Sequence, residues 1–98
     1  MDTYVILRRG AWSSADELDT AAGRSKKVGE EEMPDDVRWI RSYVLNEPDG
    51  RLGSVCIYQA ISPEAIREHA SRADLAVDEI IPVVDTVVVR ADPHGSTT

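Results

Sequence analysis

The sequence predicts an α+β fold of the ferredoxin-like type: a four-stranded antiparallel sheet with two helices on one face. Three observations lead there. Four runs rich in β-branched and aromatic residues alternate with two segments of helical periodicity in the order β-α-β-β-α-β, the split βαβ arrangement. Each helical segment begins at a capping serine, Ser14 or Ser62. The middle two strands are joined by Asn46-Glu47-Pro48-Asp49-Gly50, in which proline and Asp-Gly supply the fixed and positive φ of a tight turn.

Residues 3–9, TYVILRR, form the first strand, which Gly10, Trp12 and Ser13 interrupt. Ser14-Ala15-Asp16-Glu17 matches a capping box, with acids in the first turn where the helix dipole favours them. Leu18, Ala21, Ala22, Ser25 and Val28 follow at helical spacing, so the first helix runs from about Ser14 to the Gly29 region. Met33 to Asp36 is a loop, Val37 to Leu45 a second strand and Leu52 to Gln59 a third. Pro63 suits the first position of a second helix that extends to about Ala73, with Ile66, Ala70 and Ala73 as its buried stripe. Glu79 to Arg90, nearly all valine and isoleucine, is the last strand, with Pro82 at its start or at an edge bulge. A single domain over residues 1–91 is expected, with 92–98 a flexible tail in which His94 is incidental.

Composition narrows the function. A hydrophobic share of 42% with 30% charged residues fits a folded domain rather than a disordered chain. A net charge of −7, with eleven basic residues scattered among eighteen acids, argues against nucleic acid as a partner. The run Glu30-Glu31-Glu32 lacks the ligand alternation and glycine of a calcium loop and reads as a solvated surface. No apolar run approaches the length of a membrane span, and Met1 leads straight into a strand without a signal peptide. One cysteine, Cys56, makes no internal disulfide, so the expected location is cytoplasmic.

The candidate site lies between Val37 and Ala70. Period-two alternation gathers Trp39, Arg41, Tyr43, Cys56 and Tyr58 on one face of the hairpin and matches Ile40 and Val44 with Val55 and Ile57 on the other. The aliphatic set is expected under the helices and the aromatic, guanidinium and thiol patch on the open face, as a homodimer interface or a ligand pocket. His69 flanks the stripe of the second helix, on the opposite side of the sheet from Cys56 in that register.

The segments WIRSYV at 39–44, VCIYQA at 55–60 and AIREHA at 65–70, with ADLAVDEI from Ala73, resemble a family of small ferredoxin-like proteins, one branch of which is described as nickel-binding. The resemblance implies a cytosolic homodimer that binds nickel or a related divalent transition metal. Its characteristic side chains fall on Trp39, Tyr43, Cys56, Tyr58 and His69. Thiolate and imidazole suit nickel, so Cys56 and His69 are the implied metal ligands, and Trp39, Arg41, Tyr43 and Tyr58 the ligand or interface patch. The chain departs from the family pattern in carrying Arg8 in the first strand and Gln59 after the C-x-Y element, where many members carry glutamate. A second reading from fold analogy is an enzyme of the dimeric α+β barrel type, an isomerase or cofactor-free monooxygenase, with His69 as acid or base and Tyr43 or Tyr58 positioning a carbonyl.

Overall fold

Serine hydroxyls start both helices in the computed structural model, which describes residues 1–92. Ser14 Oγ accepts from the Glu17 amide at 3.2 Å, and the Glu17 carboxylate in turn takes the backbone N–H and the hydroxyl of Ser13. Ser62 Oγ accepts from the Ala65 amide at 3.1 Å, with Pro63 in the first turn. Each such cap is worth about 1 kcal/mol.

The elements are β1 (Asp2–Trp12), α1 (Ala15–Lys27), a single π-helical turn (Val28–Glu32), β2 (Val37–Asn46), β3 (Leu52–Ala60), α2 (Pro63–Ala73) and β4 (Glu79–Pro82). The sheet order is β2-β3-β1-β4 and every pairing is antiparallel, as the ferredoxin-like topology requires. No helix among the described residues is long and apolar enough to cross a membrane.

The strand faces differ from the alternation predicted for the hairpin. In the central pair, Tyr4, Ile6 and Arg8 of β1 stand opposite Tyr58, Cys56 and Ser54 of β3, and all six are buried beneath the helices. Val55 and Ile57 are half-buried on the open face instead. In β2, Trp39 pairs with Tyr58 and Arg41 with Ile57, so Ile40 is an extra residue and a bulge. That bulge reverses the phase of the strand. Trp39 stays on the helix side, while Arg41 and Tyr43 turn to the open face. The predicted patch is therefore two patches.

A second irregularity shapes β1. Arg8 pairs with Ser54 and Trp12 with Leu52, leaving extra residues between them. Gly10 takes φ +52 there, and its amide donates to Glu47 Oε2 at 2.6 Å. Opposite, a Cβ on Gly53 would lie 2.6 Å from the Arg8 carbonyl, so this close strand approach requires glycine. Trp12 thereby returns, buried, to the helix side.

The last strand is shorter than predicted. Tyr4 pairs with Pro82 and the Val83 amide reaches the Thr3 carbonyl at 2.9 Å, after which β1 has almost no residues left to pair. Residues 84–90 consequently have no neighbouring strand among the described residues. The chain returns to the far edge of the sheet, where Asp92 pairs with Arg41 and accepts from the Tyr43 hydroxyl at 2.7 Å. Of the expected tail, His94 and the rest of 93–98 lie outside the described residues.

Candidate functional site

β2 is an edge strand that the helices leave partly uncovered, and a cleft of about 420 Å³ opens between it and α1. Its floor is made by Arg8, Ser54, Cys56 and Tyr58, all on the helix side of the central strands. Trp12, Leu18, Ala21, Ala22, Ile40, Val44 and Leu75 give it apolar walls.

Arg8 is only 1% exposed. Its Nη1 donates to the Ala76 carbonyl at 2.5 Å, and its buried Nη2 has no hydrogen-bond partner among the described residues. No carboxylate pairs with it among the described residues. Ser54 and Cys56 share a hydrogen bond of 3.2 Å, so the single thiol is buried and occupied by its neighbour.

Tyr58 divides this cleft from a second cavity. Its ring stacks on Trp39 with centroids 6.1 Å apart and an 8° interplanar angle, and its hydroxyl lies 2.8 Å from Ser25 Oγ. The Trp39 indole N–H donates to Ser42 across the bulge at 2.8 Å, which fixes the tryptophan in this position. Beyond the wall, a cavity of about 470 Å³ is lined by Gly29, Glu30, Pro34, Val37 and His69. Trp39, Tyr58 and Ser25 border both spaces.

His69 packs edge-on against Tyr58 at 5.4 Å. Its Nε2 lies 3.0 Å from the Ser25 carbonyl, which can only accept, so Nε2 carries the proton and buried Nδ1 is left without a partner among the described residues. Burial lowers the imidazole pKa; the Ser25 carbonyl opposes that shift and the Arg8 charge adds to it. Burial also raises the Tyr58 phenol pKa, against the Ser25 hydroxyl and the Arg8 charge, so the phenol remains neutral.

The implied nickel ligands are thus on the same side of the sheet, contrary to the predicted register, but they do not meet. Cys56 lines the first cleft and His69 the second, with the Tyr58 ring between them. The thiol shares its cleft with the Arg8 cation, which repels a metal ion. No three His, Cys, Asp or Glu side chains converge on one point among the described residues. A nickel centre built from Cys56 and His69 of one chain does not fit this donor set. Arg41 and Tyr43 belong to the opposite face, beside Asp92.

Sequence reasoning missed Arg8, Ser25, Ser54 and Trp12 as site residues. The signal was present for Arg8, since Tyr4, Ile6 and Arg8 share one phase of the first strand.

A family model described as "Nickel responsive protein SCO4226-like" matches residues 4–83. Among solved structures the chain is similar to one described as "Crystal structure analysis of SCO4226 from Streptomyces coelicolor A3(2)", with 22% sequence identity and a TM-score of 0.67. That match covers 87% of this chain and 99% of the other, and at such identity it shows the common fold. No curated protein matches the chain.

Proposed function

The chain belongs to the SCO4226-like family of nickel-responsive proteins, and from that premise we propose that it is a small homodimeric binding protein. Its ligand lies in the cleft between α1 and β2. The observation that carries this reading is a cleft with apolar walls and a floor of hydrogen-bonding groups, the usual composition of a small-molecule site. The family's nickel response is not assigned to a Cys56–His69 pair here, because Tyr58 stands between them. The enzyme reading has less behind it, since His69 is walled off from the floor of the cleft.

The homodimer is supported by the segment after β4. Val84, Val87, Val88 and Val89 are 74–98% exposed, an apolar run that a second copy would cover. A reducing, cytoplasmic location is supported by the single free thiol.

Nile red, an uncharged apolar dye, tests the cleft. Its emission should rise on mixing with the wild type and stay low with Ala22→Trp, whose indole fills the space beside α1. A wild type that leaves the dye dark, or an Ala22→Trp protein that lights it equally, contradicts the assignment.

A further inference from the structure

We propose that the cleft selects organic acids, with a carboxylate head held at Arg8 and an apolar body lying against Trp12, Leu18, Ala22 and Leu75. This rests on the cleft being the ligand site and adds the chemical class of the ligand.

The starting point is a buried cation without a counter-ion. Arg8 is 1% exposed on the floor of the cleft and its Nη2 has no partner. A guanidinium withdrawn from water is strongly disfavoured unless a charge or hydrogen-bond acceptors meet it. The chain does not lack acids, since it carries eighteen. Its ion pairs among the described residues are on other arginines: Arg9 with Glu47, Arg41 with Asp92, and Arg72 with Glu32 and Glu68. Among the described residues the only carboxylate lining the cleft is exposed Asp19 on α1, and it does not pair with Arg8.

The groups around Arg8 include hydroxyls, each able to donate or to accept. Ser54 stands directly across from it on β3, and the hydroxyls of Tyr58 and Ser25 line the same space. The guanidinium nitrogen without a partner among the described residues, beside the one hydroxyl proton that the Ser25–Tyr58 hydrogen bond leaves over, matches the acceptor-only oxygens of a carboxylate. Above that polar floor the walls are aliphatic and indole surface, which favours a ligand with an apolar body over a bare inorganic anion. A divalent cation is disfavoured at the same place by the Arg8 charge.

Octanoate, its neutral isostere octanamide, and formate as the head alone are titrated calorimetrically at neutral pH into the full-length wild type, Arg8→Met and Arg8→Lys. Octanoate is expected to bind the wild type roughly tenfold or more tighter than octanamide, from the strength of a charge-assisted hydrogen bond. Arg8→Met should level the two by weakening octanoate far more than octanamide, and Arg8→Lys should keep part of the preference. Equal binding of octanoate and octanamide to the wild type overturns the carboxylate inference and leaves the cleft standing as an apolar site. Formate binding as tightly as octanoate overturns the role of the apolar walls. Failure of octanoate and octanamide alike removes the cleft reading and this inference with it. Because the wild-type comparison needs no variant, a poorly folded Arg8→Met protein does not blunt the test.

Discussion

Trp39 and Tyr58 face each other across β2 and β3, stacked at 6.1 Å, and together form the wall between the Arg8 cleft and the His69 cavity. The contact exists because Ile40 bulges out of β2; without that extra residue the tryptophan could not share a face with Tyr58 while Arg41 and Tyr43 occupy the other.

Removing this wall should merge the cavities at modest thermodynamic cost. Trp39→Ala is expected to lower unfolding stability by about 1–2 kcal/mol, the size of an aromatic pair plus partial burial. Urea denaturation measures it. A loss near zero would mean that the stack does not persist in solution.

His69 makes stability depend on pH. Its folded pKa lies below the ordinary value of 6.5, so between the two values the unfolded chain binds the proton more tightly. The stabilising contribution is complete above 6.5 and is lost as the pH falls from there through the folded value. Between about pH 7.5 and 5.5 the wild type should lose more stability than His69→Gln. Parallel urea midpoints for the two proteins across that range would contradict the burial of the imidazole.

Nickel titration separates the family's response from the Cys56 and His69 donors of this chain. Since Cys56 and His69 line different cavities, Cys56→Ser and His69→Ala should leave the calorimetric nickel isotherm of the wild type unchanged. A wild-type site that both substitutions abolish would show that the two residues meet in solution.

Much of the fold was legible in the sequence because it rests on local chemistry. The serine caps, the Pro-Asp-Gly turn and the i, i+4, i+7 stripe of Ile66, Ala70 and Ala73 each speak for their own element. The faces of the hairpin were not legible, because a bulge has no sequence mark beyond one residue too many. Ile40 and Val44 looked like core and are 48% and 52% exposed, since an edge strand outside the helices has little to bury them. Arg8 was hidden for the opposite reason: a charged strand residue reads as surface, and only the helices packed above it make it interior. The length of β4 depended on its partner, as β1 ends where Val83 meets Thr3.

The exposed valines give a test of the dimer. The wild type should scatter light at twice the 10.8 kDa chain mass, and Val87→Asp with Val88→Asp should shift it toward monomer. A wild-type monomer at high concentration would remove the second copy from the account.

The central claim, that the cleft beside α1 is where a ligand sits, is tested most directly by mapping octanoate on the protein in a two-dimensional amide NMR titration. Shifts are expected to cluster at Arg8, Ala21, Ala22, Ser54, Cys56 and Tyr58, together with the Trp39 indole N–H. Shifts confined to Val84–Val89 or to the open face around Val55 and Ile57 would contradict it.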